Sequence, residues 1–158
     1  MRRRFLMTWG LALLALFTLG GVAGAQEQGQ GKEQEQEHEQ EQELEAAGAR
    51  VQRAWLSHDV SGIVAAGPAI LLQLPGAEPA PAVDRAQAAA LLRDYLAGTV
   101  EMALSVRAAR EVDPGVGYVE LARRYRVAGT QEVRAQRVLL GYRRAGARWE
   151  LAEVRVVE

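Results

Sequence analysis

Apolar side chains recur along this chain in three different rhythms. From Phe5 to Leu19 they run on without a charge. From Gln26 to Glu45 they almost vanish, Leu44 being the only large one. From Leu44 onward they take up first a helical and then a strand period. Leu44, Ala47, Val51 and Trp55 fall on one stripe and predict a helix from about Leu44 to Ser57. His58-Asp59 ends it, and Asp59 is suited to cap a short second helix, Val60 to Ala66, closed by Gly67-Pro68. Ala69 to Leu74 alternates as a short strand and turns at Pro75-Gly76. Asp84 and Gln87 have capping-box spacing, and Ala88, Leu91, Leu92 and Tyr95 make the buried stripe of a third helix that stops at Gly98.

After Gly98 the period is two. Val100, Met102, Leu104 and Val106 share one face of a strand, and Asp113-Pro114-Gly115 is a turn. Three further strands follow: Tyr118 to Val127, Glu132 to Arg143 and Arg148 to Val157. Placing Ala128 opposite Gln131 pairs Val119 with Leu140 and Leu121 with Val138, all on one core face. The last hairpin is expected to set Tyr142 opposite Trp149 and Leu140 opposite Leu151. The apolar positions then jump to Val154 and Val156, which predicts a β-bulge at Ala152-Glu153. Glu120, Arg124, Arg126, Arg137, Arg148, Glu150 and Arg155 fall on the opposite face. Trp55 and Trp149 are expected to meet across the core.

The first two rhythms change the picture of location. Arg2, Arg3 and Arg4, the apolar run, and Ala23-Gly24-Ala25 have the form of a cleavable export signal over residues 1–25. The expected location is periplasmic or secreted, with membrane contact only through this segment if it is uncleaved. Residues 26–45 hold eight glutamates and one lysine among glutamines, and read as a low-complexity Glu/Gln tether with transient helicity from Glu33 to Glu45.

Residues 46–158 are then the folded unit, with 15 arginines, no lysine and 12 acids, a net of +3. That balance does not point to nucleic acid. Zero cysteines exclude disulfides and thiol chemistry. Two histidines, His38 and His58, are too few for a histidine metal cage, and no metal or other cofactor is expected.

The order helix, helix, strand, helix, four strands resembles that of the nuclear-transport-factor-2-like superfamily. The junction Ala54-Trp55-Leu56-Ser57-His58-Asp59 is similar to the superfamily's helix-to-helix junction. Three further stretches resemble the exported bacterial family known as domain of unknown function 4783: Ile70 to Gly76, Gln87 to Tyr95, and Trp149 to Val156. The resemblance implies an α+β fold, a cone-shaped curved antiparallel sheet covered by three N-terminal helices. It implies no single activity, because the superfamily holds isomerases, dehydratases, cyclases and non-catalytic binding domains.

Chemistry has to be sought residue by residue. A proton-transfer enzyme on this fold needs an ionisable group inside the cone. The inward positions by parity carry no Asp, Glu, His or Lys. Asp59 and Asp84 read as caps, while Glu101, Glu120, Glu132 and Glu150 point outward by parity. Two weak catalytic candidates remain. Glu153 is one, because a bulge can re-aim it. His58 is the other, although a left-handed helix end also suits it. Trp55, Tyr95, Met102, Leu104, Leu121, Leu140, Tyr142 and Trp149 are candidates to line a pocket. The expected role is a non-catalytic module binding a small apolar ligand or a protein partner, with homodimerisation allowed. The alternative is a small cofactor-free isomerase or lyase acting in the cone.

Overall fold

The computed structural model describes residues 23–65, 67–76 and 81–158. The export segment lies outside the described residues, except for its last three, which begin the first helix. That helix, α1, spans Ala23–Leu56, about 50 Å of rise. Gln26 to Glu45, expected as a tether, is continuous with it. Glu and Gln are good helix formers, and the packed turn from Leu44 onward supplies a nucleus from which propagation is cheap. Packing against the sheet begins at Leu44, which is fully buried. No helix among the described residues is long and apolar enough to cross a membrane.

α1 ends in a Schellman motif. The Asp59 N–H donates to Ala54 O at 2.8 Å and the His58 N–H to Trp55 O at 3.0 Å. This places His58 in the left-handed region at φ 54°, as the sequence suggested. The same turn starts α2 (Val60–Ile63), whose Gly62 N–H donates to the Asp59 carboxylate at 3.0 Å. A short β1 (Ala69–Gln73) and a two-residue β2 (Val83–Asp84) precede α3 (Arg85–Ala97), capped by Asp84 accepting from Gln87 N–H at 2.9 Å. Four strands complete the chain: β3 (Thr99–Asp113), β4 (Val116–Val127), β5 (Val133–Ala145) and β6 (Arg148–Val157).

The sheet runs β2-β1-β6-β5-β4-β3 and is open. It is α+β as expected, but mixed: β1 lies parallel to β6, with Leu72 beside Val154. The core forms between the helices and one sheet face, from Leu44, Val51, Trp55, Ile63, Leu92, Val119, Leu121, Val138, Leu140 and Val154. Two glycines let α1 lie close to the sheet. A Cβ on Gly48 would sit 2.5 Å from Val119, and one on Gly117 2.7 Å from Leu44.

Several expectations need correcting. Leu91 is exposed, and Leu96 takes its place beside Ala88 and Leu92, a strict four-residue ladder along α3. The β4–β5 register is the expected one, Val119 with Leu140 and Leu121 with Val138. The β5–β6 hairpin turns one residue later than expected, at Gly146-Ala147, where Gly146 takes φ 62°. Tyr142 therefore faces Leu151, Arg144 faces Trp149, and Leu140 faces Val154. The inserted residue is Ala152, inside the expected bulge, so face parity survives. Trp55 and Trp149 do not meet. Trp149 packs beside Gly117, next to Leu44, whereas Trp55 lies eleven residues further along α1, about 16 Å away.

Candidate functional site

Strand β3 carries three extra residues against β4, at Met102, Arg107 and Val112. Each bulge bends the strand and shifts its parity. The first matters most. Before it, Glu101 pairs with Tyr125 and faces the helices; after it, Leu104 pairs with Arg123 and does the same. Met102 is pushed out and is 53% exposed, so it is not an inward residue. Leu104 is buried as expected. Glu101 is the acid that simple alternation misplaces: its side chain is 3% exposed.

Its partner is Arg123, whose side chain is fully buried. Nε donates to Glu101 Oε2 at 3.0 Å, and Nη2 to Glu101 Oε1 and to Thr99 Oγ1, the latter at 3.0 Å. Nη1 donates to Tyr95 OH at 2.7 Å and to Gln136 Oε1 at 2.9 Å. Tyr95 OH in turn donates to Gln136 at 2.7 Å. A guanidinium has five N–H donors, and here each has an acceptor. The plane is also stacked, with Cζ 4.1 Å from the Tyr125 ring centre, 5.2 Å from Tyr95 and 5.4 Å from Trp55. No donor is left for a ligand, so this hub closes one end of the core. Burial holds the Tyr95 phenol above its ordinary value, against the opposing pull of Arg123.

The weak catalytic candidates are placed apart. His58 Nε2 lies 3.8 Å from Glu101 Oε1 at the margin of this hub, with 37% of its side chain exposed. Glu153 is on the far face of the sheet. It pairs with Arg155 and accepts from Tyr118 OH at 3.4 Å. Trp55, Leu121, Leu140, Leu104, Tyr142 and Trp149 are buried core, and Tyr95 is half-buried in the hub. Among the described residues, Tyr142 OH and Trp149 Nε1 are buried without a hydrogen-bond partner, and burial raises the Tyr142 phenol well above its ordinary value. His38 lies with Glu41 and Glu45 against Val106 to Ala109. Among the described residues, no group of three carboxylate or imidazole side chains is arranged to hold a metal.

An open cleft lies on the outer face, away from the helices. It encloses about 650 Å³ between Leu71, Tyr118, Gly141, Arg143, Glu150 and Glu153. Glycine in a central strand is unusual because it weakens the strand. Here a Cβ on Gly141 would lie 3.0 Å from Glu153 and 3.2 Å from the Tyr118 ring, so the bare backbone makes the cleft floor.

Sequence parity could have found Arg123, since Val119, Leu121, Arg123 and Tyr125 share one face of β4. The same parity puts Gln136 with Val138 and Leu140 on the inward face of β5, whereas Glu101 and Thr99 carry no such signal, because the face they take depends on the Met102 bulge.

No family model matches the chain, and no curated protein matches it. Solved structures do. A ketosteroid isomerase-like protein from Erwinia carotovora atroseptica superposes with TM-score 0.62 at 20% identity, over 75% of this chain and 95% of that one. A DUF4783 family protein from Bacteroides ovatus gives TM-score 0.56 at 14% identity, over 68% and 91%. A putative dehydratase from the NTF2-like family of Streptomyces avermitilis gives 0.58 at 13%, over 75% and 95%. The fold is the nuclear-transport-factor-2-like one. At these identities the likeness extends to the fold alone, and the neighbours differ among themselves in what they are named for.

Proposed function

We propose that this is an exported, non-catalytic binding module, and that it takes a small, largely apolar ligand with a polar end in the outer cleft. The observation that carries this reading is the saturated Arg123 hub. The cone's interior acid, Glu101, is held by two guanidinium nitrogens, and the neighbouring interior is packed with Leu104, Leu121 and Leu140. Both carboxylate oxygens of Glu101 accept from the guanidinium, and the packed interior leaves no space beside them for a substrate. The outer cleft, by contrast, offers Leu71 and Tyr118 as apolar walls, with Arg143 and Glu150 also lining it. Export rests on the basic start, apolar run and Ala23-Gly24-Ala25 triplet.

The test is native mass spectrometry of protein purified from its host. A bound small molecule should be retained by the native chain and by Arg124→Ala, and lost from Leu71→Glu, which charges a cleft wall. A ligand unaffected by Leu71→Glu would remove the cleft from consideration. N-terminal sequencing of the same material should begin at Gln26; an intact Arg2–Arg4 segment would mean an anchor instead. The alternative of a cofactor-free isomerase or lyase draws on one observation, His58 beside Glu101. Turnover abolished by Glu101→Gln with folding intact would establish it.

A further inference from the structure

At the end of the outer face away from the cleft, three arginines stand on neighbouring rows of the sheet. Arg126 lies between Val100 and Val133, Arg124 between Ala103 and Ala135, and Arg137 between Ala122 and Val157. None is ion-paired among the described residues. The acids nearest in register are otherwise engaged or out of reach. Glu132 binds Arg134, and neither Glu120, one row further along, nor Glu158, next to Val157, lies within ion-pair distance of any of them. The floor between the arginines is made of small side chains, Ala103, Ala122 and Ala135, which leaves a shallow trough with a cationic lining.

The chain also carries the complement of that trough. Glu27, Glu33, Glu35, Glu37 and Glu39 lie in the N-terminal half of α1, with Lys32 the only cation there. Glu33 and Glu37, four residues apart, are spaced about 6 Å along a helix, and Arg124 and Arg126, two apart on one strand, about 6.7 Å, so the two pairs can run in step. The tract joins the domain on the side of the sheet away from the trough. From Leu44 onward α1 packs against the opposite face of the sheet, and Glu43 is held there by Arg144 at 3.3 Å.

We propose that two copies of this chain associate by laying residues 26–39 of one across Arg124, Arg126 and Arg137 of the other. The contact is electrostatic, with a small-residue floor that admits a helix. It is independent of any ligand in the cleft.

The experiment is sedimentation velocity on the full mature chain, from low ionic strength to about 0.5 M salt, where the screening length falls to about 4 Å. Association should weaken at least tenfold across that range. The variant Arg124→Glu/Arg126→Glu/Arg137→Glu should be monomeric at low salt, and so should Glu33→Lys/Glu35→Lys/Glu37→Lys/Glu39→Lys. Mixing the two variants should restore a complex, because both contacts then pair opposite charges: the native tract with the native arginines, and the lysine tract with the glutamate face. All these positions lie on the outer face or in the tract, and circular dichroism checks that each variant is folded. Three results would overturn the proposal: a chain monomeric at every salt concentration, an association indifferent to salt and to both variants, or a mixture of the variants that stays monomeric.

Discussion

Glu101 and Arg123 meet on the helix-facing side of the sheet because Met102 is an extra residue in β3. Without that insertion, Glu101 and Leu104 would lie on opposite faces. Instead both point inward, Leu104 into apolar packing and Glu101 onto the guanidinium. A buried ion pair of this kind stabilises little over an apolar pair of equal volume, but it is costly to break from one side.

Arg123→Ala should therefore destabilise the domain by about 3–5 kcal/mol, since it leaves Glu101 buried without its cation and empties the space between Trp55, Tyr95 and Tyr125. Chemical denaturation measures this. A loss below about 1 kcal/mol would mean the guanidinium is solvated and the hub is not as described.

Tyr95 and Tyr142 should respond oppositely to loss of the hydroxyl. Tyr95 OH accepts from Arg123 and donates to Gln136, so Tyr95→Phe should cost about 1–2 kcal/mol. Tyr142 OH has no partner, so Tyr142→Phe should be neutral or stabilising by up to about 1 kcal/mol. Equal losses in thermal melts of the two variants would contradict the hydrogen-bond assignment.

Both phenols are raised above 10.0 in the folded state, mainly by burial. The stability this represents is fully present below that value, where folded and unfolded chains both hold the proton. It declines above it, as the unfolded chain releases protons that the folded one keeps. Stability followed by denaturation at rising alkaline pH should fall more steeply for the native chain than for Tyr142→Phe.

Gly48→Ala should cost about 1–3 kcal/mol by driving a methyl group into Val119. In the Val119→Ala background the same change should be much cheaper. A double-mutant cycle gives the coupling, and simple additivity would mean that α1 does not lie this close to β4.

His58→Gly should be tolerated within about 1 kcal/mol, because the left-handed helix end favours glycine. A larger loss in denaturation would assign His58 a stabilising role through Glu101 rather than through the backbone.

Much of the architecture was legible from local pattern. The caps at Asp59 and Asp84, the left-handed position of His58, the β4–β5 register and the extra residue at Ala152 each follow from the chemistry of a few neighbouring residues. Period and capping are properties of adjacent side chains, so the chain alone determines them. It also carries the leader pattern, the acidic tract and the scarcity of histidine.

What escaped that reading was decided by relations between distant segments. A bulge cannot be seen in one strand, because an inserted residue exists only relative to the partner it fails to face. Strict alternation therefore put Met102 inside and Glu101 outside. The same reason hid the hub, whose members come from α3, β3, β4 and β5, and the separation of Trp55 from Trp149, which depends on where α1 crosses the sheet. The cleft, too, exists only once Gly141 lies between Tyr118 and Glu153. Side-chain period determines which residues can share a face; only the paired and packed sheet decides which of them touch.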